Sequence, residues 1–360
     1  MQADTADRLL GRLRDEVAAP SVYPAFEVPG DRYLSRDRFE RERAVVAKLP
    51  RIVLPSSSLA AGACVPVDAA GQSLLLVRDA GGTARAFFNS CRHRGTRLVD
   101  APCAAKAITC PYHAWTYDLD GSLRHVPHDK MFGGIDLATR GLAAVPVEER
   151  HGLIWLGTGI AAHLGALDRD LAALALDQHV AWKTSRVTRR CNWKLVVEAF
   201  LDGYHIRTLH RDSVYRFFID AASVAEPVGD HVRAMTARRT LRDGTAGDVR
   251  LLATPSFSLF PATTIIAHPD FVSVVRVHPL APDSTEWEHT MLVPAERAAE
   301  TDHWAKSWAL IEDGVFQSED LWVCEQAQRG LESGGLDTVV FGALEHAARY
   351  FHAALDRHLG

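Results

Sequence analysis

Two short stretches of the chain each pair a cysteine with a histidine. Cys91-Arg92-His93 is followed, after sixteen residues, by Cys110-Pro111-Tyr112-His113. Each stretch offers one thiolate and one imidazole, so together they can ligate a metal centre. A [2Fe–2S] cluster with two thiolates on one iron and two imidazoles on the other uses this mixed set. A structural zinc is the second reading, although zinc modules group like ligands as C-x₂₋₄-C and H-x₃₋₅-H. Chance pairing of buried cysteines and histidines is the third. Imidazoles in place of two thiolates leave a cluster less negative, and easier to reduce, than an all-cysteine one.

A second set of donors lies beyond residue 190. Trp193, Val197, Phe200, Leu201 and Tyr204 share one face of a helical pattern, and Glu198, Asp202 and His205 follow on a neighbouring stripe. His205 and His210 are five residues apart, about 140° around a regular helix, so they converge only across a helix end or a π-bulge. Two histidines on a solvated face are the alternative. Farther on, Phe316, Asp320, Val323, Cys324, Ala327 and Leu331 fall on one helical stripe. A carboxylate in such a stripe needs a metal or a cation, because burying it unpaired costs on the order of several kcal/mol. Glu319 and Glu325 point off the stripe and read as solvated. Two histidines and a carboxylate form the facial triad of non-haem Fe(II) oxygenases, which leaves positions open for dioxygen.

These donors need scaffolds. Residues 74–78 and 83–89 read as strands around an Asp79-Ala80-Gly81-Gly82 turn, leading into the first Cys/His loop. With a buried strand at 152–156, residues 50–160 read as all-β. Residues 5–17 fit an amphipathic helix, Pro20, Pro24 and Pro29 an extended arm, and 36–48 a charged helix. The region from 160 to 182 reads as a helical connection. Strands are expected near 185–191, 250–260, 271–279 and 286–292, and helices over 193–210, 300–331 and 343–358. That mixture is α+β.

The motif stretches resemble one family. Cys91-Arg92-His93-Arg94-Gly95 and Cys110-Pro111-Tyr112-His113-Ala114-Trp115 are similar to the Rieske [2Fe–2S] domain of the ring-hydroxylating, non-haem iron oxygenases. Asn192-Trp193-Lys194, Glu198-Ala199-Phe200 and Asp202-Gly203-Tyr204-His205, with His210 and Asp320, resemble that family's catalytic domain. The resemblance covers about residues 45–331. It implies an N-terminal helical arm (1–45), an all-β Rieske domain (46–160) and a helix-grip, START-like catalytic domain (161–360). Cys91 and Cys110 would bind one cluster iron and His93 and His113 the other. His205, His210 and Asp320 would bind a mononuclear Fe(II), and Asp202 would link it to the cluster of a neighbouring subunit. Ala114 stands where many members have Gly, and Ala199 where the family usually has Asn.

The implied activity is that of a terminal oxygenase, adding one or two atoms of dioxygen to a small organic substrate or demethylating it. Some members that act on quaternary amines carry Glu at the position of Asp202, so Asp202 leans toward an aromatic or apolar substrate. Candidate pocket walls are Phe200, Leu201, Phe217, Phe218, Phe257, Phe260, Phe271, Trp287 and Phe316. No nicotinamide, flavin or phosphate-loop motif is present, so a separate NAD(P)H-dependent reductase, with or without a ferredoxin, must supply electrons. The modest length leans toward a homotrimer and toward monooxygenation or demethylation. An electron carrier and a zinc-stabilised binding module are the rival classes, and the C-terminal triad argues against the first.

Composition narrows the partners. The chain has 360 residues, is 47% hydrophobic and carries a net charge of −5 without long single-sign runs. Nucleic acid and anionic membranes are therefore not expected partners. No apolar run is long enough to span a bilayer, and the N-terminus has no signal pattern. Cys64, Cys103, Cys191 and Cys324 read as free thiols, consistent with a cytoplasmic location.

Overall fold

The structure, a computed structural model, describes residues 1–69, 71–243 and 247–360. It divides into two compact units, Pro50–His163 and a larger one made of Met1–Leu49 with Leu164–Gly360. The first 49 residues thus fold as part of the larger unit.

The smaller unit is all-β. One sheet has strands in the order 144–145, 84–88, 72–78, 63–69 and 103–104. A three-stranded sheet joins 147–150, 153–156 and 51–55, and another joins 108–109, 116–117 and 123–125. The hairpin expected at residues 74–89 is present, pairing Leu74 with Phe88 and Arg78 with Ala84. Leu75, Val77, Phe87, Ile108, Trp115 and Tyr117 form the core cluster that also holds Cys91 and Cys110.

The larger unit is built on a seven-stranded antiparallel sheet, in the order 179–189, 284–294, 272–281, 263–267, 253–259, 231–238 and 218–228. The first strand lies at one edge. The chain then crosses to the other edge and meanders back to it. Strands 218–228, 231–238 and 263–267 were not visible in the sequence pattern. Their alternation is blurred because several positions face the core on both sides, as Thr263–Ala267 do throughout.

Two helical expectations change. The pattern over 193–210 is not one helix: it runs Trp193–Ala199, breaks, and resumes for a single turn at Ile206–Leu209. The span 300–331 is an α-helix (Thr301–Trp308), a π-helical segment (Ala309–Asp320) and a second α-helix (Leu321–Glu332). Among the described residues no helix is long and apolar enough to cross a membrane.

The N-terminal segment braces the helix that leads to the two histidines. Lys194, fully buried, places Nζ 2.6 Å from Glu42 Oε2, and Trp193 Nε1 donates to the same oxygen. Burial lowers the Lys194 pKa and Glu42 opposes the shift. Asn192 caps the helix by accepting from the Lys194 amide, while its Nδ2 donates to the carbonyls of Tyr33 and Pro282.

Candidate metal centres and substrate cavity

The two Cys/His loops share one backbone pattern. The Cys91 amide donates to Thr96 O and Gly95 donates back to Cys91 O; the Cys110 amide donates to Trp115 O and Ala114 donates back to Cys110 O. Gly95 and Ala114 therefore hold equivalent turn positions, both left-handed, with φ of 76° and 56°. For Ala114 that conformation costs about 1 kcal/mol, which a Gly would not incur.

The donors are layered. Cys91 and Cys110 are 3% exposed, whereas His113 is exposed and His93 half-buried. Burial pushes the Cys91 thiol up, against hydrogen bonding from Tyr117 and the His93 amide. Tyr117 Oη lies 3.2 Å from Cys91 Sγ. His93 stacks on Trp115 with ring centroids 5.0 Å apart, and its ring lies 4.8 Å from that of His113. Its Nδ1 is buried with no hydrogen-bond partner among the described residues, as a nitrogen reserved for a metal would be. The arrangement suits a cluster with a thiolate-held inner iron and an imidazole-held outer iron near solvent. It suits one zinc poorly: among the described residues, the group whose three or more donors lie within 4.8 Å of one another is a different one.

That group is His205, His210 and Asp320. The helix break brings them together. His205 immediately precedes the single turn Ile206–Leu209 and His210 immediately follows it, so the helix-end alternative accounts for their convergence. The preceding loop is pinned at Gly203, whose amide donates to Leu344 O. A Cβ there would meet Ser223 Oγ at 2.7 Å, so a larger residue would force the Ser223 hydroxyl to turn away. The two Nε2 atoms are 3.0 Å apart, and Asp320 Oδ1 lies 3.2 Å from His210 Nε2 and 3.6 Å from His205 Nε2. Donors about 2.1 Å from one ion and at right angles around it would be about 3.0 Å apart. Asp320 is 5% exposed and its Oδ1 has no hydrogen-bond partner among the described residues. Burial disfavours a charged His210, yet Asp320 and Glu319 outweigh it and raise its pKa. The pocket of negative charge fits a divalent cation.

The surroundings correct several sequence readings. Glu319 is not solvated: its Oε2 lies 2.6 Å from His210 Nδ1 and accepts from Ser213 Oγ. The cause is the π-helical segment. Its i→i+5 bonding advances each residue by less than 100°, so Glu319 and Asp320 both turn toward the histidines. The predicted stripe also narrows within the regular helix Leu321–Glu332, where Cys324, Gln328 and Leu331 are buried while Val323 is half-buried and Ala327 exposed. Glu198 does not share a stripe with Asp202 and His205; it bonds Tyr33 Oη and lies 3.0 Å from His352 Nε2. Tyr204 is 68% exposed rather than on the apolar face. Asp202 lies in the loop, Oδ1 accepting from the His205 amide and Oδ2 standing 3.1 Å from His205 Nδ1, out of line for a hydrogen bond.

Glu319 holds the non-converging nitrogen of His210, and such partners fix the tautomer of a ligating imidazole. Glu319→Ala is expected to weaken iron binding about 10- to 100-fold while the cluster absorbance is unchanged. Chelator competition on the purified protein checks this; wild-type iron retention would restrict Glu319 to bonding Ser213.

A cavity of about 320 Å³ is lined by His205, His210 and Asp320. Phe200, Phe217, Phe218, Phe271 and Phe316 line it too, while Leu201, Phe257, Phe260 and Trp287 from the predicted walls do not and are core. Ala199 also lines it. The sheet adds a polar wall missed in the sequence: Thr236 and Arg238 on one strand, Thr254 and Ser256 on the next, each pair two residues apart and so on one face. His268 completes that wall, its Nε2 3.1 Å from Ser273 Oγ. These positions could have been found only by recognising the two strands.

Comparison with known proteins agrees with this architecture. The quaternary ammonium Rieske monooxygenase CntA in complex with L-carnitine superposes with a TM-score of 0.81 at 23% identity, covering 95% of this chain and 97% of that one. Naphthalene 1,2-dioxygenase from Rhodococcus sp. bound to indole gives 0.78 at 18% identity, covering 99% and 98%. In sequence, the carnitine monooxygenase oxygenase subunit of Escherichia coli (strain K12) is 29% identical, over 92% of this chain and 93% of its own length. The glycine betaine monooxygenase oxygenase subunit of Chromohalobacter salexigens is 35% identical, over 42% of this chain and 35% of its own length. Residues 50–142 match the Rieske [2Fe-2S] domain. Residues 174–360, just over half of the chain, match the ring hydroxylating alpha subunit catalytic domain. The chain belongs to the Rieske non-haem iron oxygenases, oxidoreductases that carry a [2Fe–2S] cluster and a mononuclear iron, as an α subunit of the ring-hydroxylating type.

Proposed function

We propose that this oxygenase is a monooxygenase that oxidises a small quaternary ammonium compound at a carbon bonded to nitrogen. The observation that carries the reading is the mixed lining of the cavity. Phe200, Phe271 and Phe316 on the lining offer π faces that suit an alkylammonium cation. The hydroxyls and charged groups of the sheet wall suit a polar substrate and are wasted on a hydrocarbon. Relatives named for carnitine, glycine betaine and choline support the same class. The lean from Asp202 toward an aromatic or apolar substrate finds no support in that polar wall.

In this reading Cys91 and Cys110 hold one iron of the cluster, His93 and His113 the other, and His205, His210 and Asp320 the mononuclear iron. When bound, the cluster supplies single electrons and the mononuclear iron activates dioxygen. The reaction consumes dioxygen, two electrons and two protons. One oxygen atom enters the C–H bond beside nitrogen and the other leaves as water. The hydroxylated carbon then forms a carbonyl, losing its hydroxyl proton, and the C–N bond breaks with its electron pair left on the amine. The protein's part is to orient that carbon: the phenylalanines exclude water, Glu319 holds His210, and Asp202 positions His205. Electrons come from NAD(P)H through a separate reductase, with or without a ferredoxin. Asp202 also faces the cluster of a neighbouring subunit in a homotrimer. Inter-subunit electron transfer is described for a quaternary ammonium Rieske monooxygenase of this fold.

The test is turnover of carnitine, glycine betaine, choline and naphthalene with a surrogate reductase, following amine and aldehyde release coupled to dioxygen uptake. Coupled oxidation of a quaternary amine is expected. Coupled oxidation of naphthalene alone would overturn the substrate class and leave the family intact.

A further inference from the structure

Arg238 is the one arginine lining the cavity among the described residues. It ends strand 231–238, paired with Phe218 across the sheet. Its guanidinium carbon lies 5.5 Å from the ring centroid of Phe217 and 5.6 Å from that of Phe218. Phenyl rings take up none of a guanidinium's N–H hydrogen bonds, and its N–H edges match a carboxylate in two-point geometry. The edges are poorly used within the chain. Nη1 has one long hydrogen bond, 3.4 Å to Thr254 Oγ1, and among the described residues no carboxylate comes within ion-pair distance. Burial lowers the Arg238 pKa, and the field of Asp270 offsets this only in part. Asp270, on the same lining, is engaged elsewhere, with Oδ2 toward His303 Nε2 and 3.9 Å from Arg297 Nη1. A half-buried cation with no direct ion-pair partner among the described residues is costly, and an incoming anion reduces the cost.

We infer that Arg238 binds an anionic group of the substrate, a carboxylate, while the carbon to be oxidised reaches toward His205, His210 and Asp320. Resting on the quaternary ammonium reading, this makes the substrate a zwitterion: an ammonium near Phe200, Phe271 and Phe316, the lining phenylalanines that Arg238 does not face, and a carboxylate against Arg238, Thr236, Thr254 and Ser256. It selects an ammonium carboxylate over an ammonium alcohol. A bare cation would meet Arg238 as a like charge, and a hydrocarbon would leave it unpaired. Arg238 is thus a specificity residue, separate from the metal donors.

Matched ligands test it: carnitine against its carboxamide, and glycine betaine against choline, titrated calorimetrically into the oxidised holoprotein, which cannot turn over without reductant. Each carboxylate is expected to bind about 10- to 100-fold more tightly than its uncharged counterpart. Arg238→Gln should erase that preference, weakening the carboxylate and leaving the carboxamide nearly unchanged. Arg238→Lys should recover part of it, since charge returns without the fork. In turnover the Arg238→Gln loss should fall mainly on KM, and both variants should keep wild-type iron content and cluster absorbance. Equal affinities for acid and amide in the wild type, or an unchanged preference in Arg238→Gln, would overturn the assignment while leaving the quaternary ammonium reading standing. The converse failure is equally visible. Binding of simple carboxylates through Arg238 with no binding of any quaternary amine would sink the ammonium reading and keep the anion site.

Discussion

Asp320→Ala is expected to lose the mononuclear iron and all substrate turnover while the brown colour of the cluster persists. The three donors form a triangle with edges of 3.0, 3.2 and 3.6 Å, and Asp320 supplies its only ligating carboxylate. Without it, two imidazoles face one ion and the charge that raises the His210 pKa is halved, leaving Glu319 alone. Metal analysis should read two irons per chain instead of three, with acid-labile sulfide unchanged. His113→Ala should show the reverse order of loss, abolishing the visible spectrum first, because the iron it would share with His93 then keeps a single imidazole. Full activity in Asp320→Ala with loss in Glu319→Ala would mean that the two neighbouring carboxylates have exchanged roles. That outcome is a sharp check, since both lie within 3.2 Å of a nitrogen of His210.

The second large effect is expected at Asp202. Asp202→Asn is nearly isosteric, can still accept from the His205 amide and keeps the loop pinned by Gly203. It removes the negative charge 3.1 Å from His205 Nδ1. Both metal centres should remain, and the cluster should still be reduced by the external donor. Turnover should fall by orders of magnitude, because the step lost is electron delivery to the mononuclear site. The measurement is single-turnover reoxidation of the reduced cluster by dioxygen with substrate bound. Wild-type reoxidation in Asp202→Asn, or a fully active monomer by sedimentation, would confine Asp202 to positioning His205 within its own chain.

The donor sets were legible in the sequence because ligation is written in residue type and short spacing. Cys91, His93, Cys110 and His113 sit on two local loops, each closed by its own backbone hydrogen bonds, so nothing distant was needed to find them. The pairing of His205 with His210 was legible as a problem, two donors diverging on a regular helix, with a helix end as one of two solutions. The stripe through Phe316, Asp320, Cys324 and Leu331 found the third donor, since burial of these four survives the irregular helix. What the sequence could not decide depends on where backbone geometry departs from a regular period. The π-helical segment at Ala309–Asp320 brought Glu319 to His210, and the break after Ala199 parted Asp202 and His205 from the stripe of Glu198, which bonds Tyr33 and lies beside His352. The polar wall was hidden for another reason. Thr236, Arg238, Thr254, Ser256 and His268 come from separate strands and a loop, and sheet pairing alone makes them neighbours. Chemistry of the metals is local in the chain, whereas the shape and charge that select a substrate are non-local, set by strand register and visible only once the sheet has closed over the cavity.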